Sequence, residues 1–354
     1  MRPRRFAPGR RALALWLSVS LVGVQACVST PYEFGRDLDT ELTLQLNEGE
    51  SQIERGRPNA FLDGIGHYLI SLPSKILLLS WSLNNHDISD ETQAELEEYL
   101  EANDLGAVKV RLNQYDPGGE WSRLARNREM PAGWRWSLGL LSLVVYTILP
   151  GRFFAGLLGG DNYNPYTNTI NLYSDNVPVA LHEAGHAKDF AAKTNRHWKG
   201  GYAALRLIPG VPLWQEAVAS NDAISFLYAT ENEAGRRSAY RKLYPAYGTY
   251  VGATGWQYGQ FFPIGPPWVE YAIVFGPVAV GHVVGQTRAL FVREREGPAE
   301  EAAEDAGEDG EGDPEIGTGT GASAPPPPAD PQEVDESTPA RSPRDSLIEP
   351  SPRW

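Results

Sequence analysis

Hydrophobic and polar positions change rhythm several times along the chain, and each change predicts an element. In ELTLQLN, Leu42, Leu44 and Leu46 alternate with polar residues, the period of a half-buried strand. HYLISLPSKILLLSWSLN is apolar but broken by Pro73 and Lys75, interruptions that weaken it as a membrane span. From Asp87 to Asn103 the spacing becomes helical. Leu96, Tyr99 and Leu100 share a face, Ser89 or Asp90 caps the first turn, and Gly106 follows the end. AVKVRLNQY then reads as a strand, and a helix leading into a strand suits an α+β domain.

Two later regions are more apolar. Residues 136–159 carry no charge from Trp136 to Leu149, before Pro150 and Arg152 interrupt. That stretch of 14 residues is shorter than the roughly 20 a spanning helix needs. A buried hairpin, a membrane-lying segment and a kinked membrane helix all remain open for it. Within residues 243–292 only Glu270 and Arg288 are charged up to Leu290, and glycines recur four apart: Gly248 and Gly252, Gly255 and Gly259, Gly281 and Gly285. Such spacing permits close helix packing, in a bilayer or in a glycine-rich soluble core. Pro263, Pro266 and Pro267 supply a turn between two arms.

Between these regions lies YSDNVPVALHEAGHAKDF. Ser174, Asp175 or Asn176 caps a helix there, Pro178 suits its first turn and Asn195 marks its end. His182 and His186, four residues apart, lie one above the other on such a helix and can reach one metal ion. Glu183 leans to the flank, suited to a water rather than to the metal. Zinc lowers the pKa of that water towards 7, and the carboxylate can take its proton. Gly185 weakens a helix by about 1 kcal/mol relative to alanine, which implies close approach by a neighbouring element.

Such a site needs a third protein ligand. Ala192 stands six residues after His186, where a third histidine could have been, and Asp189 is one turn on with a short side chain, a candidate for an outer position. Glu216 is the better ligand candidate: it lies 30 residues after His186, near the start of the helical stretch PLWQEAVASNDAISFL. Asp222 is the candidate to accept the outer ring proton of a ligating histidine. Tyr240, Tyr244, Tyr247, Tyr250 and His282 lie downstream as possible stabilisers of a developing oxyanion, and no spacing singles one out.

HEAGH followed by QEAVASND resembles the gluzincin zinc metallopeptidases, nearest in style to the membrane-associated group of CAAX prenyl proteases and HtpX-like proteases. In that group the third ligand is the glutamate of E-x-x-A-D or E-x-x-S-D, whose aspartate orients a ligating histidine. Glu216 and Ala219 match, Ser220 occupies the aspartate position, and Asp222 comes two residues late. The resemblance covers about 60 residues, from Tyr166 to Leu227. It implies a zincin-like α+β core, Zn2+ on His182, His186 and Glu216, and Glu183 as general base. It also implies an edge strand just before the metal helix, against which an extended peptide lies; TNTINLYS, residues 167–174, fits by position, after a turn-rich DNYNPY.

Composition adds the chain's ends. MRPRRFAPGRR, the apolar ALALWLSVSLVGVQA and then Cys27 form an export-signal pattern over residues 1–26. Cys27 is the only cysteine, which excludes an intramolecular disulfide, and its place resembles the lipidated residue of a bacterial lipoprotein, with Gln25 departing from the usual small residue; Val24 and Ala26 also suit the general signal peptidase, which would leave Cys27 a free thiol. Residues 27–57 read as a tether and 58–296 as the metallopeptidase domain. Residues 297–354, acidic and proline-rich, have the composition of a disordered tail. That tail holds 15 acidic and 3 basic residues, −12 of the chain's −14, so the remainder is nearly neutral. Nucleic acid is not an expected partner. The expected setting is the bacterial cell envelope, with membrane attachment through the lipid and through the apolar helices, and a peptide or protein substrate. A non-catalytic envelope scaffold that keeps the zincin fold is the rival reading.

Overall fold

A computed structural model describes residues 32–35, 38, 42–157, 160–260 and 266–292. The proposed signal segment, Cys27, Pro263 and the acidic tail lie outside the described residues. The described part is α+β, mostly helical, around a four-stranded sheet of order β1-β2-β4-β3. The strands are β1 (Ile53–Arg55), β2 (Lys109–Leu112), β3 (Asn162–Asn164) and β4 (Thr169–Leu172). β1, β2 and β4 are parallel, with Lys109 opposite Thr169 and Leu112 opposite Leu172; β3 runs antiparallel to β4, with Asn162 opposite Asn171.

The expected edge strand is placed differently. TNTINLYS does contain β4, but β4 is paired on both sides and every residue of it is buried. Its backbone donors and acceptors go to β2 and β3, so no peptide can add to it. β1 is the edge on the far side, and the edge strand next to β4 is β3, inside the DNYNPY segment that the sequence presents as turns. Three residues are too short a run for alternation to register as a strand.

ELTLQLN also departs from expectation. Leu44 is buried and Gln45 exposed, as the alternation predicts, yet the segment pairs with no strand. The Leu44 carbonyl accepts from Asn168 Nδ2 at 3.1 Å, a side chain meeting the need that a ladder would have met. The expected tether is instead partly built into the fold. It supplies β1, and Tyr32 OH and the Gly35 amide both donate to Asn103 Oδ1, at 2.8 and 2.9 Å.

The helices begin with α1 (Ala60–Ile65) and α2 (Leu72–Leu77), joined through a π turn at Gly66–Ile70. α3 (Asp90–Ala102) starts where expected. Ser89 Oγ accepts from the Thr92 amide at 3.2 Å, and Leu96, Tyr99 and Leu100 are buried. α4 (Pro117–Arg126) leads to α5 (Ala132–Trp134), a π turn at Arg135–Gly139, α6 (Leu140–Ile148) and α7 (Gly151–Phe154). The apolar segment from 136 is therefore not a buried hairpin. It is a helix broken at Pro150, with Leu143 fully buried on the core and Trp136, Leu141, Val145 and Ile148 exposed.

α8 (Val177–Ala191), α9 (Arg196–Ala204) and α10 (Val211–Ala229) follow, and α11 (Glu233–Gly259) and α12 (Pro267–Leu290) form a helical pair. Glycine spacing explains the pairing. A Cβ on Gly252 would stand 2.1 Å from the Val274 carbonyl oxygen, and one on Gly281 2.5 Å from that of Tyr244, so only glycine admits the opposing backbone. Among the described residues, Pro267–Leu290 is the one helix long and apolar enough to cross a membrane, by length and composition alone.

Candidate metal centre

α8 carries HEAGH. Its start is set by Asn176, extended at φ −154°, whose side chain accepts from the Val179 amide, with Pro178 in the first turn. The helix stops at Ala191 rather than Asn195; Asn195 caps the next helix, α9. α10 opens at Gly210, whose φ of +89° suits glycine, and carries Glu216 and Ser220.

The two helices meet at Gly185. A Cβ there would lie 3.0 Å from the Ala219 carbonyl oxygen and 3.2 Å from its Cα. The close approach that an interior glycine implies is thus an approach of α10 backbone, and it brings Glu216 to the histidines. His182 Nε2 lies 3.0 Å and His186 Nε2 3.4 Å from Glu216 Oε2. The three candidate ligand atoms all fall within 4.8 Å of one another, and all three residues are buried.

This donor set fits a metal ion. Ligand atoms held about 2.0–2.2 Å from a tetrahedral zinc stand roughly 3.3–3.5 Å apart, close to the separations found. Two imidazoles and a carboxylate are a known zinc set that leaves one position open. The His182–His186–Glu216 group can therefore bind a metal ion.

Electrostatics sort the four groups. Burial pushes the Glu183 carboxyl up to about 7; neighbouring Glu216 adds to this, and His182 opposes it. Burial works against ionising Glu216 as well, but the two histidines outweigh it and hold its pKa well below the usual range. Burial holds His186 down at about 4, hence neutral. Burial also opposes charge on His182, yet the Glu216 hydrogen bond and charge shift it upward on balance. One carboxylate is thus a fixed anion, and the neighbouring one is poised to exchange a proton near neutrality.

The two outer candidates from the sequence are not at the centre. Asp189 accepts from Tyr202 OH and, at 2.7 Å, from Lys193 Nζ. Asp222 accepts from Tyr99 OH and, at 2.8 Å, from Lys188 Nζ. On a helix, Asp222 is turned roughly 200° from Ser220, and it meets Tyr99 of α3 and Lys188 near the end of α8 rather than either histidine. The residue against His182 is Ser220, its Oγ 3.2 Å from Nδ1. Against His186 Nδ1 stands Arg206 Nη2, also at 3.2 Å. Arg206 carries no sequence signal, since it sits in a short 3-10 turn, Leu205–Leu207.

Of the five downstream aromatic candidates, Tyr250 faces the cluster. Glu216 and then burial hold its hydroxyl protonated, well above the usual range, with Glu183 adding to the effect. Tyr247 lines the same cavity, Tyr240 and Tyr244 pack on each other with centroids 5.6 Å apart, and His282 Nε2 bonds the Leu77 carbonyl. That cavity, about 800 Å³, lies over His182, Glu183 and Glu216. Its walls include edge strand β3 and the apolar Leu138, Leu141, Val145 and Leu243. Comparison with protein families, curated proteins and solved structures finds no match for the chain.

Proposed function

We propose that the protein is a zinc-dependent endopeptidase that cuts extended segments of proteins in the bacterial cell envelope. The observation that carries this reading is the convergence of the buried donors His182, His186 and Glu216 beside Glu183, with His182, Glu183 and Glu216 lining an open cavity. A zinc ion held by those donors supplies Lewis acidity and lowers the pKa of water to near 7. Glu183, next to the ligand His182 and lining the same cavity, would take the proton of the attacking water and return it to the leaving amine. Tyr250 OH, kept protonated, donates to the oxygen on which negative charge develops. The backbone of β3 pairs with the substrate strand and aligns it, while the apolar walls take its side chains and exclude water.

Cys27 would be lipidated after export, and the exposed apolar faces of α6 and α12 would keep the enzyme at the membrane surface. A second reading, a scaffold that holds the metal without turnover, draws on Arg206, a cation placed where a metal-bound histidine ordinarily has an acceptor. Zinc content and cleavage of casein and envelope proteins, measured for the wild type and Glu183→Gln, separate the readings. Zinc in both with cleavage only in the wild type supports the peptidase. Zinc in both and cleavage in neither supports the scaffold, and zinc in neither removes both.

A further inference from the structure

Arg206 is aimed at the cluster by buried support. Its Nε donates to Gln215 Oε1 at 2.8 Å, and Gln215 Nε2 in turn donates to the Tyr202 carbonyl at 3.0 Å. Gln215 is only 1% exposed, so the fork has a fixed base. From there Nη2 reaches His186 Nδ1 at 3.2 Å and stands 3.9 Å from Glu216 Oε1.

A guanidinium has five N–H donors and no acceptor. In its contact with His186, Nδ1 must therefore supply the lone pair, which leaves the single proton of the neutral imidazole on Nε2. Nε2 is the nitrogen that faces Glu216 Oε2 and the other ligand atoms. A metal needs the lone pair there, and the proton on Nδ1. One neutral imidazole cannot satisfy Arg206 and a metal together. His182 has no such conflict. The Ser220 hydroxyl can accept from Nδ1–H, which frees Nε2 as a ligand.

We propose that Arg206 competes with the metal for His186, its hydrogen bond to Nδ1 holding the imidazole in the tautomer that cannot ligate. Metal binding breaks that bond, and the bond's formation assists metal release. Arg206 is thus a positioning residue that lowers metal affinity and sets the exchange rate of the centre. The inference rests on the metal-centre reading above, and its test uses zinc alone.

The full chain and its Arg206→Met and Arg206→Gln variants are compared by chelator competition for zinc, with thermal unfolding as a check on folding. The His186 tautomer is read by nitrogen NMR. The zinc-free wild type should carry the His186 proton on Nε2 and move it to Nδ1 as zinc is added. Both variants should bind zinc about tenfold tighter than the wild type and release it more slowly, the lower end of what outer partners of metal ligands change. Equal or weaker binding by the variants overturns the competition while leaving the metal centre in place. An Nδ1 proton in the zinc-free wild type does the same, and decides the matter even where a variant fails to fold. Zinc binding by none of the proteins removes the metal centre and the competition with it.

Discussion

Ser220 Oγ lies 3.2 Å from His182 Nδ1, at the sequence position where the resembling peptidases carry aspartate, while Asp222 is engaged by Tyr99 and Lys188 on another face of the same helix. A hydroxyl accepts the ring proton and orients the imidazole as a carboxylate would, without adding negative charge beside Glu216. Ser220→Ala should therefore weaken zinc binding by about tenfold with little change in folding. Asp222→Asn should leave zinc affinity unchanged and lower the thermal midpoint, because it disturbs Tyr99 and Lys188, which bond none of the three candidate ligands. Chelator competition and thermal unfolding on both variants check the pair; a larger zinc effect from Asp222 would reverse the assignment.

Glu216 supplies the only carboxylate oxygen among the three candidate ligand atoms. Zinc should raise the thermal midpoint of the wild type by mass action, by about 2.7 kcal/mol of stability at a hundredfold excess over Kd. Glu216→Ala should abolish that rise, and a chelator should reverse it in the wild type. A zinc-dependent midpoint that survives in Glu216→Ala would assign the third ligand elsewhere.

Gly185 lets α8 and α10 touch at Ala219. Gly185→Leu should part the helices, costing about 1–3 kcal/mol through overpacking and drawing Glu216 away from His182 and His186. Calorimetry and zinc titration should move together in this variant. Unaltered zinc affinity with reduced stability would mean that the ligands do not depend on this approach.

Buried His67 and His86, on either side in sequence of the cavity-lining Leu83 and Asn84, should make the fold acid-sensitive. His67 Nδ1 is 3.0 Å from Lys75 Nζ, and His86 Nδ1 is 3.0 Å from Asn113 Oδ1. Burial lowers both from the ordinary 6.5, with Lys75 adding to the effect on His67. The unfolded chain then binds protons near pH 6.5 that the folded chain refuses until lower pH, so stability falls as pH drops below about 6.5. Thermal midpoints measured from pH 7.5 to 5 should decline in the wild type, and less steeply in His86→Gln.

Much of the centre was legible from local pattern. Two histidines at helical spacing, a glutamate between them and a later Glu216 are one-dimensional signals, because a helix turns sequence distance into a known face. The start of α3, the strand at AVKVRLNQY and the paired glycines of α11 and α12 follow from the same local rules. Gly185 even announced a close neighbour, although not which one.

What the chain alone could not decide was which groups meet across elements. Asp222 lies two residues from Ser220 in sequence and on another side of the helix, and only the packing of α10 on α8 gives the histidine to the serine. β4 has strand character, but whether a strand is an edge depends on what pairs beside it, and β3 was too short to announce itself. Arg206 reaches His186 from a turn with no periodicity, held there by Gln215. The candidate ligand types and their helical register were thus written in the sequence. The outer partners, the free sheet edge and the cation at His186 were set by tertiary contacts, because hydrogen bonds between distant segments leave no period in the chain.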